Sequence, residues 1–180
     1  MLIMLGASAS GKTEIGKVII QKYGLKKMIT YTTREKRLGE REGVDYYFLT
    51  KEDFLAKKSN NFFIETTLYN HNYYGTAFKD ASDDKVLIVD MNGANVFYEC
   101  LPEKTCIFFL EASKEVRKKR MLARGDSLED INRRLKEDDE VFKKDKLYHI
   151  DYVINTENKS LEELAYDIYV LYINNIRRWE

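Results

Sequence analysis

Residues Gly6-Ala7-Ser8-Ala9-Ser10-Gly11-Lys12-Thr13 set two glycines, a lysine and a threonine at the spacing G-x-x-x-x-G-K-[ST]. Glycine at both ends lets the backbone take conformations that a Cβ forbids, so successive N–H groups can turn inward around a phosphate. In such a loop the lysine reaches the β- and γ-phosphates of a nucleoside triphosphate, and the threonine hydroxyl ligates Mg²⁺. The bland alternative is a glycine-rich turn that happens to precede a lysine. The flanks favour the phosphate loop: Leu2-Ile3-Met4-Leu5 reads as a strand. Thr13 to Tyr23, with Ile15, Val18, Ile19 and Ile20, reads as a helix whose positive end faces the anion.

Further groups offer charge to a second anion. Arg34, Arg37 and Arg41 fall within eight residues. In isolation such a cluster is a solvated surface patch, but here it follows a strand end beside a phosphate loop. Guanidinium forks suit bidentate phosphate binding, and Tyr46 and Tyr74 are positioned to add hydroxyl donors or simply to fill a half-buried sheet. Asp90 ends an apolar strand, where a carboxylate either holds Mg²⁺ through water or caps the next helix; both fit. Arg117, Arg120 and Arg124 share a helix with Arg133 and Arg134 just beyond it. They read as an exposed, salt-bridged surface or as a mobile lid whose arginines neutralise charge on a phosphoryl group in transfer. A segment this poor in apolar residues is expected to have low local stability, as a lid requires.

Composition narrows the classes. The chain has 180 residues, 44% hydrophobic and 33% charged, with a formal net charge of +0. That length suits one domain or one core with insertions. The charge balance argues against binding nucleic acid through a global positive field. No apolar run approaches a membrane span, and the phosphate loop comes too early for a signal peptide, so a cytoplasmic protein with no membrane partner is expected. Cys100 and Cys106 match neither a redox pair nor a zinc set and are expected to be buried, reduced thiols. His71 and His149 read as ordinary polar residues.

Strand and helix patterns alternate, which argues a parallel sheet with helices on both faces. Gly24 is a plausible end to the first helix, and Lys27 to Thr32 reads as a second strand. From Thr32 to about Thr76 the alternation lapses into a small, aromatic-rich, mostly β insertion. It holds strand-like Tyr46 to Leu49, Phe62 to Glu65 and Tyr73 to Gly75, and a helix opened by Thr50 with Asp53 three residues on. Val86 to Asp90, Thr105 to Leu110 and Asp151 to Asn155 read as further strands, Gly93 to Cys100 as a helix, and Ser113 as the cap of a basic helix through Arg124. Asp126 to Asp145 is almost entirely charged. Ser160-Leu161-Glu162-Glu163 is a capping box, with Leu161, Leu164, Ile168 and Leu171 as the apolar stripe of a terminal helix.

With these pieces in place the chain resembles the guanylate kinases. Thr30-Tyr31-Thr32-Thr33-Arg34-Glu35-Lys36-Arg37-Leu38-Gly39-Glu40-Arg41-Glu42-Gly43-Val44-Asp45-Tyr46-Tyr47-Phe48 is similar to that family's S-x-T-T-R-x-P-R-x-G-E-x-x-G-x-D-Y-x-F. Phe63-Ile64-Glu65 with Asn72-Tyr73-Tyr74-Gly75-Thr76 resembles F-I-E…N-Y-Y-G-[ST], and Arg124-Gly125-Asp126-Ser127 with Arg133-Arg134-Leu135 resembles the family's lid. The resemblance implies an α/β P-loop NTPase three-layer fold with a parallel sheet, a small mostly-β NMP-binding insertion and a helical lid. It implies a single domain over 1–180, with core 1–31, 77–123 and 146–180, insertion 32–76 and lid 124–145.

It also implies roles. Arg34, Arg37, Tyr46 and Tyr74 would hold the GMP phosphate, Glu65 would accept from the guanine N1–H and N2 amine, and Thr30 and Thr76 would bond the base, with Asp90 at the same substrate. Lys12, Arg37, Arg124 and Arg134 would stabilise the γ-phosphoryl group. Arg120 and Asn155 would join the loop in binding ATP, and Thr13 and Asp90 would hold Mg²⁺. The chain departs from the family at Thr30, where serine is commoner, at Lys36, which replaces a proline, at Ile88, where many members have an acid, and in a lid loop one residue shorter.

The implied reaction is ATP-dependent phosphorylation of GMP or dGMP with Mg²⁺, by a monomer or homodimer. Two other readings stand beside it. One is a kinase of the same fold acting on another phosphorylated small molecule, such as ribose 1,5-bisphosphate or a different nucleotide. The other is a non-catalytic interaction module, which the intact Lys12 and Thr13 disfavour.

Overall fold

The structure is a computed structural model and describes residues 1–69 and 71–176, so positions 177–180 of the expected 146–180 core segment lie outside it. Along the chain run β1 (Leu2–Leu5), α1 (Lys12–Tyr23), β2 (Lys26–Lys27), β3 (Tyr31–Thr32), β4 (Tyr47–Phe48), α2 (Lys51–Ser59), β5 (Phe63–Tyr69), β6 (Asn72–Ala77), β7 (Lys85–Ile88), α3 (Met91–Cys100), β8 (Cys106–Glu111), α4 (Lys114–Ala123), α5 (Leu128–Val141), β9 (Tyr152–Asn155) and α6 (Leu161–Ile176). They form two compact units, Met1–Lys26 with Asp83–Glu180, and Lys27–Ser82.

The first unit is built on a five-stranded sheet in the order β2-β7-β1-β8-β9. β1 pairs in parallel with both β7 and β8, and β8 with β9. The sequence of β1 dictates its central place: all four residues are buried, as a strand covered on both faces requires. Leu2 and Met4 meet Ile15 and Ile19 of α1 and Leu164, Ala165 and Ile168 of α6 in one core. By the pleat, Ile3 and Leu5 point the other way. There α3 lies against β1 and buries Met91, Ala94 and Phe97. Helices therefore cover both faces of the sheet. Among the described residues, no helix is long and apolar enough to cross a membrane.

The second unit is a four-stranded sheet in the order β4-β3-β6-β5, antiparallel at β3–β6 and β5–β6 and parallel at β3–β4. Aromatic stacking holds it: Phe54 of α2 lies on Phe63 with ring centroids 4.5 Å apart and on Tyr73 at 5.4 Å, while Tyr31 stacks on Tyr47 at 4.6 Å. Thr50 caps α2 by accepting from the Asp53 amide, as its spacing predicts.

Several expectations need correction. The Lys27–Thr32 strand is two strands, because Lys26–Lys27 belong to the five-stranded sheet and Tyr31–Thr32 to the four-stranded one. Cys100 is exposed at the end of α3, and only Cys106 is buried. The 3.6-residue period turns Leu161 out to 41% exposure and brings Tyr172 in, so the buried stripe of α6 is Leu164, Ala165, Ile168 and Tyr172. The charged stretch Asp126 to Asp145 carries the expected helix, 14-residue α5, but it is not wholly solvated: it buries Ile131 and Asp138. Arg117 is 4% exposed, not a surface cation.

Candidate functional site

The Gly6–Thr13 loop joins β1 to α1, and its glycines are required by geometry. A Cβ on Gly6 (φ 144°) would lie 2.1 Å from the Leu110 carbonyl oxygen, and Gly11 (φ 102°) stands at the N-cap of α1. The loop is braced by the residue after β9 and by α4 and α5. Thr156, buried just past β9, donates its hydroxyl to the Ser10 carbonyl at 2.9 Å. Arg120 of α4 donates to the Ala9 carbonyl at 3.1 Å and to the Thr156 carbonyl at 2.6 Å. The Ser8 amide donates to Asp138 at 2.8 Å.

Lys12 folds back on this loop, donating to the carbonyls of Gly6 at 2.7 Å and Ala7 at 2.8 Å. Burial lowers its pKa to about 8; Asp138 opposes the shift and Arg117 adds to it. Thr13 is exposed in the first turn of α1. Beside the loop opens a cleft of about 700 Å³ lined by Lys12, Thr13, Arg120, Arg124, Thr156 and Leu161 among others. Its size suits a drug-sized or nucleotide-sized ligand. Asp90 caps α3 through the Gly93 amide at 2.7 Å. Arg124 and Arg134 both face the Asp126 carboxylate, Arg134 at 3.9 Å. Asn155 accepts from the Glu157 amide and lines a different hollow, with Val153, Tyr166 and Asp167.

In the second unit, Arg34 follows β3 with its guanidinium carbon 5.3 Å from the Tyr46 ring centre, and the Tyr46 and Tyr74 rings meet edge-on at 6.1 Å. Glu40 holds Arg34 in place at 2.6 Å, and that hydrogen bond is the main reason the Glu40 carboxyl titrates below the usual range. Arg37 is exposed, with its backbone amide donating to Glu40 at 2.8 Å. Glu65 accepts from the Thr76 hydroxyl at 2.9 Å. Thr30 presents its carbonyl to the Tyr47 amide at 3.0 Å. Tyr74 and Thr76 are two apart on β6, so they share one sheet face. On the opposite face, Gly75 lies under Phe54 and Phe63.

Among the expected residues, Arg120 and Arg124 line the cleft with the loop in the first unit, where Arg134 meets Arg124 at Asp126 and Asp90 caps α3; in the second, Arg34, Tyr46 and Tyr74 lie together, and Glu65 pairs with Thr76. Sequence reasoning missed Thr156, Asp138 and Glu40. Each acts through a fold-dependent contact, and only Glu40, spaced six residues from Arg34, left any local signal.

The family model for guanylate kinase matches residues 1–170. A guanylate kinase of Fusobacterium nucleatum is 33% identical over 98% of this chain and 97% of its own length, and one from Neisseria meningitidis serogroup A is 37% identical over 75% of this chain and 70% of its own. Among solved structures, a guanylate kinase from Anaplasma phagocytophilum superposes with a TM-score of 0.61 at 27% identity, covering 99% of this chain and 84% of that one. A gluconokinase from Sinorhizobium meliloti (TM-score 0.56, 14% identity, covering 99% of this chain and 94% of that one) shares the fold alone. The α/β fold with its parallel sheet agrees with these matches, and the chain belongs to the guanylate kinase family of enzymes.

Proposed function

We propose that the enzyme transfers the γ-phosphoryl group of ATP to GMP or dGMP, producing ADP and GDP or dGDP. One observation carries the substrate reading: a single sheet face bears Tyr74, close to Tyr46 and Arg34, and Thr76 bonded to Glu65. The first group suits a phosphate monoester, since a guanidinium and phenolic hydroxyls are all donors. The second suits guanine, which presents two adjacent donors to a carboxylate; adenine would set an acceptor against it.

ATP would lie in the cleft beside the loop, with its phosphates on the loop amides and the end of α1. Lys12 would exchange two carbonyls for phosphate oxygens, a stronger, charge-assisted bond. Arg124 and Arg134 would leave Asp126 to neutralise charge on the phosphoryl group, and the exposed Arg37 would add a further cation. The GMP oxygen attacks in line, and catalysis is positioning plus electrostatics. Thr13 and Asp90 offer hard oxygen donors that fit Mg²⁺, and among the described residues Asp90 commits only Oδ1, to the Gly93 amide. When bound, the ion neutralises the β- and γ-phosphates. A cytoplasmic location would give the enzyme access to ATP and GMP.

The test is phosphoryl transfer by the intact chain and by Lys12→Ala. GDP formed by the first and lost in the second is expected. A Lys12→Ala variant with undiminished biological activity would instead support a non-catalytic interaction module.

A further inference from the structure

A buried ion pair that the proposed mechanism does not use lies against the phosphate loop. Arg117 of α4 is 4% exposed and Asp138 of α5 is 8% exposed. The Arg117 Nη1 donates to Asp138 Oδ2 at 2.8 Å, and the Ser8 amide donates to the same oxygen at 2.8 Å. The Ser8 hydroxyl reaches the other carboxylate oxygen at 3.3 Å. One anionic oxygen is therefore gripped by a loop amide and a guanidinium together. Those are the donors that hold a phosphate oxygen in a phosphate loop. The pairing also leaves Arg117 incomplete: its Nε is buried and has no partner among the described residues, and Nη2 lies 3.8 Å from Asp139. A guanidinium left short of acceptors inside a protein is costly, so this one has a use for a further anionic oxygen.

We propose that Asp138 is a placeholder for a nucleotide phosphate oxygen, and that Arg117 is a further phosphate ligand which passes from Asp138 to the nucleotide when ATP binds. The exchange swaps one anion for another at a fixed pair of donors, so the buried guanidinium is never stranded. Without nucleotide, Asp138 keeps the Ser8 amide satisfied and ties α5 to the loop. With nucleotide, like charge drives the carboxylate away and frees α5. Asp138 thus competes with ATP and lowers its apparent affinity.

The inference rests on ATP binding at the Gly6–Thr13 loop, and the test separates the two. ATP affinity is measured without GMP for the wild type, Asp138→Asn and Arg117→Met/Asp138→Ala, each with a melting curve. Removing the competing charge in Asp138→Asn should tighten ATP binding about 3- to 10-fold even as the melting temperature falls. The double variant, with an apolar pair in place of the ionic one, should fold and lose that gain because the arginine is gone. A purely structural pair would move melting temperatures and leave the affinities of both variants at the wild-type value, which would overturn the proposal.

Should Asp138→Asn fail to fold, a wild-type crystal structure with a non-hydrolysable ATP analogue decides. A phosphate oxygen at hydrogen-bond distance from Ser8 N and Arg117, with Asp138 displaced, is expected. Asp138 still on the Ser8 amide beside bound nucleotide would refute the exchange. If the wild type bound no ATP at all, the reading of the loop itself would fall.

Discussion

The Lys12 ammonium donates to the Gly6 carbonyl at 2.7 Å, so the residue expected to grip phosphate grips its own loop instead. Burial holds its pKa at about 8, below the ordinary 10.5. The charged form binds phosphate, so kcat/KM for ATP should be flat below about pH 7 and fall above pH 8, and ATP binding near pH 8 should take up protons. The unfolded chain holds more protons than the folded one between pH 8 and 10.5, so this lysine makes stability rise with pH across that window. Lys12→Met should therefore melt higher than the wild type below pH 8 while losing activity. Calorimetry in two buffers of different ionisation enthalpy measures the proton uptake, and a pH profile of melting checks the rest.

Glu65 accepts from Thr76 at 2.9 Å on the face proposed to carry guanine. Glu65→Gln keeps the shape but turns one acceptor into a donor facing donors. A mismatch of this kind costs about 1–3 kcal/mol, so kcat/KM for GMP should fall about 10- to 100-fold. The KM for ATP should hardly move. Steady-state kinetics with each substrate varied in turn gives both numbers; equal losses on both would remove the base-reading role.

Glu40 pre-sets Arg34 at 2.6 Å while Tyr46 lies under its guanidinium. Arg34→Lys keeps the charge but gives up the fork and the flat stacking surface. The KM for GMP should rise about tenfold, a loss of roughly 1.4 kcal/mol, with only a small change in melting temperature because the lysine keeps a positive charge beside the Glu40 carboxylate. Titration of GMP against the variant without ATP measures it.

Thr156, just past β9, ties the loop at Ser10 to Arg120 of α4 and Glu111 of β8. Thr156→Val fills the space but leaves the Ser10 carbonyl and one Arg120 donor without that partner. The cost is about 1–3 kcal/mol, which in a chain of this size lowers the melting temperature by about 2–4 °C per kcal/mol. The KM for ATP should rise with it, since the loop loses its brace. Thermal melting and ATP kinetics together test the claim.

The loop, the Thr50 and Ser113 caps and the Ser160–Glu163 capping box were readable because each is a local rule: a fixed spacing serves a backbone need within a few residues. Thr156 was not, because the carbonyl it serves lies 146 residues away and a single threonine after a strand carries no pattern. Asp138 was hidden in a run of like residues, where only the fold separates the one acid that faces inward from its neighbours. Lys27 to Thr32 misled for the same reason. Its ends pair with different sheets, and strand propensity does not reveal partners.

The account stands most directly on a comparison of kcat/KM for phosphoryl transfer from ATP to GMP, dGMP, AMP, UMP and ribose 1,5-bisphosphate. A carboxylate reading two guanine donors predicts that GMP or dGMP exceeds every other acceptor by about 10⁴-fold or more, the discrimination open to a site built on hydrogen bonds to its substrate. Equal or faster turnover of AMP, UMP or the ribose bisphosphate would contradict it.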